Sequence, residues 1–141
     1  MRKFLSSSER ETKRFARKFA KHLKAGDTVA LLGVLGTGKT TFAKGLALGL
    51  GLKSRVASPS FVIFNTAKVP GQNLRFYHFD LYRLAGQHDL IELGFSEILQ
   101  DPQSIVVIEW PEKAKALLPQ QTIFIKFQHG KLPTQRIIKV G

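Results

Sequence analysis

Gly33-Val-Leu-Gly-Thr-Gly-Lys-Thr40 matches G-x-x-x-x-G-K-[ST] at every fixed position. It follows the apolar run Val29-Ala-Leu-Leu32 and opens a segment of helical character from Lys39 to Leu50. With a strand before it and a helix after it, such a match reads as a P-loop. Gly33, Gly36 and Gly38 let the backbone curl so that several N–H groups converge on one anion. Lys39 adds a point charge for the β- and γ-phosphates, and Thr40 offers its hydroxyl to Mg²⁺. The helix dipole adds to these donors, so the expected ligand is a nucleoside triphosphate.

The remainder of the chain is read outward from that loop. At 141 residues it is one domain's worth, 1–141, able to bury roughly two-thirds of its unfolded surface without disulfides or metal. There is no cysteine, no run of about 18 apolar residues, and no signal-type pattern in Met1-Arg-Lys-Phe-Leu5 before Ser6, Ser7 and Ser8. A cytosolic protein with no membrane association is expected. The formal charge is +12, and nine of the 22 Lys and Arg fall in the first 24 residues, against only Glu9 and Glu11. Polyanions, nucleic acid first, are the partners such a balance suits, with a solvated basic face as the alternative.

Ser8 and Glu11 form a capping box, and Phe15, Phe19 and Leu23 make an apolar stripe of period near four. A helix is expected over about 8–24, its other faces carrying Lys13, Arg14, Arg17, Lys18, Lys21 and Lys24. Thr28–Leu32 reads as a buried strand. In the helix after the P-loop, Gly45 and Gly49 share a face, which would bring it close to a sheet. Ser58-Pro-Ser-Phe61 presents hydroxyls on an extended loop, where P-loop proteins often keep a γ-phosphate-sensing switch. Phe61–Val69 and Leu74–Tyr82 make a hairpin around Pro70–Asn73. Asp80 is a lone carboxylate in an apolar run, for which Lys39, Arg83 or Mg²⁺ is the expected partner. His78 is expected to be a hydrogen-bonded structural residue.

Two short helical pieces follow within Gln87–Leu99, on either side of Gly94. Ile105–Ile108 is a second buried strand and delivers Glu109 at its end, a Walker-B-type arrangement in which the carboxylate serves Mg²⁺. A short helix is expected over Glu112–Leu118, then a hairpin of Thr122–Gln128 and Arg136–Val140 at a sheet edge with one wet face. The fold class is α/β: a P-loop domain with a central, mostly parallel sheet and antiparallel hairpins, flanked by helices.

This chemistry suffices for ATP or GTP binding and slow hydrolysis. No N-K-x-D element selects guanine, which makes adenine the default. An arginine stabilising transferred charge is worth 10³ to 10⁵ in rate when supplied in trans. Arg83 is a candidate in cis, a salt-bridging role being the alternative, so the protein alone is expected to be a weak Mg²⁺-dependent ATPase. A small P-loop kinase, and a nucleotide-gated module that holds tRNA or protein through the basic face, stay open as other readings.

Leu-Leu-Gly-Val-Leu-Gly-Thr-Gly-Lys-Thr-Thr-Phe42, Ser-Pro-Ser-Phe61, His-Phe-Asp-Leu-Tyr-Arg-Leu84 and Ile-Glu-Trp-Pro111, in this order, resemble the bacterial TsaE (YjeE) family over essentially the whole chain. The resemblance implies an ATPase working with TsaB and TsaD to form N6-threonylcarbamoyladenosine at position 37 of tRNAs that read codons starting with A. In that family TsaC makes the threonylcarbamoyl-adenylate, TsaD transfers the group to tRNA, and the ATP cycle of TsaE supports repeated turnover. Direct contact with tRNA through the basic first helix is a further candidate interaction.

By the same resemblance the cofactors are ATP and Mg²⁺. Gly36, Thr37, Gly38, Lys39, Thr40 and Thr41 hold phosphates, and Thr40 with Glu109 holds Mg²⁺. Thr12 lies near the nucleotide, Ser58–Ser60 form a switch-like loop in which Ser60 contributes a hydroxyl, and Asp80 is a catalytic or Mg²⁺-linked acid. Lys39 and Glu109 complete the catalytic set. Trp110 packs close to the nucleotide, an aromatic core plug being its alternative. Two positions depart from the family pattern: Val34 stands where Asp is frequent, and Ser60 where Thr is. Ser60 keeps the hydroxyl, whereas Val34 lacks any carboxylate.

Overall fold

The computed structural model describes residues 2–52 and 64–141. Its centre is one seven-stranded sheet made of β1 (Arg2–Ser6), β2 (Thr28–Leu32), β3 (Phe64–Lys68), β4 (Arg75–Asp80), β5 (Ser104–Glu109), β6 (Ile123–His129) and β7 (Arg136–Val140). The strand order is β1-β7-β6-β2-β5-β4-β3. The central four, β6, β2, β5 and β4, run parallel, while β3 pairs antiparallel at one edge and β7 and β1 at the other. This is the α/β class expected, with a mostly parallel centre.

Alternation along the strands divides the core in two. Val29, Leu31, Ile105, Val107, Phe76, Ile125 and Phe127 face one side. There they meet α1 (Glu9–Ala20) and α2 (Lys39–Gly49). On the other side Phe79, Val106 and Ile108 meet Leu90 of α3 (Gln87–Glu92), and Phe95 and Leu99 of α4 (Phe95–Gln100). That second layer also takes Ala114 of a 3₁₀ segment, Pro111–Leu117. Because β4 and β5 are neighbours in parallel register, His78 and Glu109 fall on the α2 side of the sheet, and Asp80 sits opposite Glu109.

Several expectations shift in physically informative ways. α1 starts as predicted, with Ser8 Oγ accepting from Glu11 N–H at 3.1 Å. The Glu11 carboxylate returns to Ser7 N–H at 3.0 Å, one residue before the cap. The helix ends at Ala20 rather than near Lys24, because Lys21, His22 and Leu23 bond three residues back and tighten the last turn. Gly45 and Gly49 face α1, not the sheet. A Cβ on Gly45 would lie 2.6 Å from Ala16 Cβ and 2.7 Å from Lys13 O, and one on Gly49 would lie 2.6 Å from both Ala20 Cβ and Arg17 O. The two helices therefore approach to backbone contact.

The last hairpin is not the sheet edge. β6 lies beside β2 and the edge is β1, a strand the sequence pattern did not reveal. Phe4 of β1 stacks on Phe15 of α1 at 4.4 Å between ring centroids. The helix expected over Glu112–Leu118 is the 3₁₀ segment, interrupted at Ala114, where φ is −131°. The expected start of the first hairpin at Phe61 and the Ser58–Ser60 loop lie outside the described residues. Among the described residues no helix is long and apolar enough to cross a membrane.

Candidate functional site

A cleft of about 1010 Å³ opens at the carboxyl ends of β2, β4 and β5. Open parallel sheets place their ligands at this end. Leu31 and its neighbours in β2 are buried, and the chain leaves the sheet through Gly33, Gly36 and Gly38, at φ values of 151°, 79° and 96°. Side chains rarely adopt such angles, so the loop's shape depends on glycine. Gly38 is the N-cap of α2 and has no side-chain capping bond, which leaves the first N–H groups of that 11-residue helix for a ligand.

Gly36, Gly38, Lys39, Thr40 and Thr41 line the cleft, together with Thr12, Asp80, Glu109 and Trp110. Thr37 does not. It is fully buried, and its hydroxyl turns inward to donate to Val34 O at 2.6 Å, bracing the loop from behind. Ser60 lies outside the described residues. Val34, the departure from the family pattern, points outward and is 62% exposed.

Lys39 is only 4% exposed. Its ammonium donates to Gly33 O and lies 3.5 Å from the centroid of the Trp110 ring. Burial lowers its pKa from the ordinary lysine value, an effect opposed by the negative fields of Glu109, Glu112 and Asp80. Trp110 gives that contact at a cost in backbone geometry, since with φ 58° and ψ 52° it is the one described non-glycine residue at positive φ. Tyr82 packs beside it, with ring centroids 5.0 Å apart.

Glu109 is nearly buried, and both its oxygens are engaged. Oε1 accepts from Thr40 Oγ1 at 2.8 Å, and Oε2 meets His78 Nε2 at 2.6 Å. A carboxylate held from both sides is oriented rather than merely present. His78 is hydrogen-bonded, as expected, and its partner is the carboxylate that lines the cleft. Its other ring nitrogen, Nδ1, is buried without a hydrogen-bond partner. Asp80 is the half-buried last residue of β4 and not a charge within an apolar strand; its Oδ1 accepts from Tyr82 N–H at 3.1 Å. Of its expected partners, Lys39 feels its field, and Arg83 lines the same cleft. Lys113 donates to Tyr82 O at 2.8 Å and Leu84 O at 3.1 Å, pinning the loop that carries Arg83.

Two groups at the site escaped the sequence reading. Ser6, from the unanticipated β1, shares a 2.7 Å hydrogen bond with Thr12 and so fixes its hydroxyl at the cleft wall. Arg136 of β7 donates from Nε to the P-loop carbonyl of Gly36 at 3.0 Å, and from Nη1 to Pro133 O at 2.8 Å and Gln135 O at 2.9 Å. Both depend on strand pairings between distant segments, which carry no local signal. Arg136 also lines the cleft, with Pro133 and Thr134 of the β6–β7 turn.

With this geometry in view, the comparisons with known proteins converge. The family model "Threonylcarbamoyl adenosine biosynthesis protein TsaE" matches residues 6–138. The chain is 37% identical over 124 residues to the tRNA threonylcarbamoyladenosine biosynthesis protein TsaE of Treponema pallidum, covering 88% of this chain and 89% of that protein. It is 40% identical over 117 residues to the protein of the same name from Borreliella burgdorferi, covering 83% of each. Among solved structures, YdiB of Bacillus subtilis superposes with a TM-score of 0.73 at 32% identity, covering 99% of this chain and 83% of that one. The chain belongs to the TsaE family of threonylcarbamoyl adenosine biosynthesis proteins.

Proposed function

We propose that the protein binds ATP with Mg²⁺ in this cleft and hydrolyses it slowly, in support of N6-threonylcarbamoyladenosine formation on tRNA, acting in the cytosol with homologues of TsaB and TsaD. The observation that carries the reading is the meeting of Thr40 and Glu109 at 2.8 Å, beside the buried Lys39 and the glycine-bent loop. A hydroxyl and a carboxylate brought together at the foot of a P-loop are hard oxygen donors of the kind Mg²⁺ prefers, and the donor set fits that ion. Bound there, Mg²⁺ would supply positive charge to the β- and γ-phosphate oxygens.

The rest is the work of the chain's own residues. The open N–H groups of α2 and the glycine loop cradle phosphate, while Lys39 exchanges Gly33 O for a phosphate oxygen and neutralises charge. His78 holds Glu109 in register, and in this reading Asp80, across from Glu109 on β4, orients water or follows the γ-phosphate. Thr12, Ser60 and Trp110 border the nucleotide in this reading. Among the described residues Arg83 and Arg136 line the cleft, and Arg136 is spent on backbone carbonyls. Arg136 is thereby held away from transferred charge, and a slow intrinsic rate raised by partner proteins is what this reading expects.

The test is ATP hydrolysis by the purified protein, alone and then with TsaB and TsaD homologues, with Lys39→Ala as the blank. A slow rate that rises severalfold or more with the pair is expected. Phosphoryl transfer to a small acceptor with no partner present would replace this reading with a kinase.

A further inference from the structure

We infer that the outward face of α1, with the adjoining end of α2, is a docking surface for the phosphate backbone of RNA. Arg10, Lys13, Arg14, Arg17, Lys18 and Lys21 line one groove whose floor is Leu48 and Gly49. The groove exists because Gly49 lets α2 touch the backbone of α1 at Arg17, so the cations stand above a smooth floor instead of a ridge. Among the described residues none of the six pairs with a carboxylate, the ion pairs being His78 with Glu109 and His88 with Glu92. Of the two acids on the helix, Glu11 is committed to Ser7 N–H and Glu9 lines the nucleotide cleft.

An acidic protein is the competing occupant, and the surface chemistry disfavours it. Protein interfaces are anchored by large apolar or aromatic side chains in pockets. Here the exposed large apolar residues, such as Leu5, Val34, Leu35 and Leu132, lie on other elements, and the groove offers only cations above a flat floor. At about 1.5 Å per residue, Arg10 to Lys21 spans about 16 Å, and about five phosphate contacts are expected of its six cations where both strands of an RNA duplex border the groove. The face also begins where the nucleotide cleft ends, since Ser8, Glu9 and Thr12 line the cleft and Arg10 opens the groove. The choice of RNA among polyanions rests on the tRNA-modification reading above.

The test is fluorescence anisotropy with a labelled, unmodified tRNA transcript that reads a codon starting with A, between 50 and 200 mM KCl, with ATP affinity measured on the same samples. About five phosphate contacts predict a log–log salt slope near −4.5, or roughly 500-fold weaker binding across that range. Arg14→Glu/Arg17→Glu/Lys21→Glu should flatten the slope by about 3 and leave ATP affinity and melting temperature unchanged. The milder Arg14→Gln/Arg17→Gln/Lys21→Gln should act in the same direction. Lys68→Glu/Lys115→Glu/Lys126→Glu carries the same charge change elsewhere and should leave the slope alone.

An unchanged slope in the α1 variants would overturn the inference, and equal loss in the control variant would reduce it to net charge. Displacement of tRNA by polyglutamate of similar length, at equal concentration of charge, would assign the face to an acidic protein. Failure of the wild-type protein to bind ATP would count against the nucleotide reading instead, and leaves the RNA measurement standing.

Discussion

Replacing His78 by Leu removes the group that holds Glu109 Oε2 at 2.6 Å while keeping the core filled. The side chains of His78 and Glu109 are 1% and 3% exposed, so water does not substitute. Leaving a buried acceptor without its donor typically costs about 1–3 kcal/mol, and more when the acceptor is a carboxylate. Two features lower that figure here. Thr40 still donates to the other carboxylate oxygen, and removing the imidazole also removes the orphaned Nδ1, worth about 1 kcal/mol. The expected loss is about 2–3 kcal/mol, read as a urea midpoint lowered by about 1–2 M. Leu at both 78 and 109 leaves no carboxylate oxygen without its donor, and the field that Lys39 loses with Glu109 is lost equally in Glu109→Leu alone, so the cycle should give a coupling energy of at least about 1.5 kcal/mol. ATP affinity measured with Mg²⁺ should fall further in His78→Leu than affinity measured in EDTA. A single-variant loss below about 0.5 kcal/mol, or additive effects of the two substitutions, would refute the view that His78 is there for Glu109.

Lys39→Met should raise stability in the absence of nucleotide, because the wild-type fold carries a desolvated ammonium. The folded pKa is below the unfolded one, so the unfolded state binds more protons and wild-type stability climbs as pH rises toward 10.5. The variant's advantage should therefore be largest at neutral pH and shrink in alkaline buffer; an advantage that grows with pH would contradict the sign. Gly45→Ala gains about 1 kcal/mol of helix propensity but forces contacts of 2.6–2.7 Å with α1. Overpacking of about 1–3 kcal/mol should prevail, lowering the melting temperature by several degrees. Arg136→Ala frees the P-loop carbonyl of Gly36 and the β6–β7 turn, and a loss of about 1 kcal/mol in ATP binding, roughly fivefold in Kd, is expected by calorimetry.

The parts of the fold legible in sequence were those whose signals are local. β2 and β5 declare themselves as short runs without polar interruption, buried on both faces by helices. α1 shows its cap and stripe within a dozen residues, and the glycines of the P-loop state their backbone requirement one by one. β1 shows nothing comparable. Arg2 and Lys3 are exposed, and its strand character comes from pairing with Arg136–Val140 at the far end of the chain. Mistaking the last hairpin for the edge follows from the same omission. Gly45 and Gly49 announced a close approach without naming the partner, which depends on Ala16 and Ala20 presenting small side chains from another helix. In the cleft, the meeting of Lys39, Thr40 and Glu109 was readable because each stands at the end of a strand or the start of the helix that the motif spacing fixes. Arg136 and the Ser6–Thr12 contact were not, because only the assembled sheet brings them to the loop.

Departures from local rules also gather where the chemistry would be. A buried histidine nitrogen without a partner is not diagnostic alone, since Thr28 Oγ1 is equally orphaned and lies in β2 at the strand end away from the P-loop. At the cleft, however, four departures coincide: a buried ammonium at Lys39, a nearly buried carboxylate at Glu109, the orphaned Nδ1 of His78 and a left-handed tryptophan at 110. The last is the most telling, because glycine would relieve about 1–2 kcal/mol of backbone strain between β5 and Pro111. What tryptophan supplies in return is a face for the Lys39 ammonium and a neighbour for Tyr82. A fold selected for stability alone would discard that exchange, whereas one that must hold a buried lysine ready for phosphate has a physical reason to keep it.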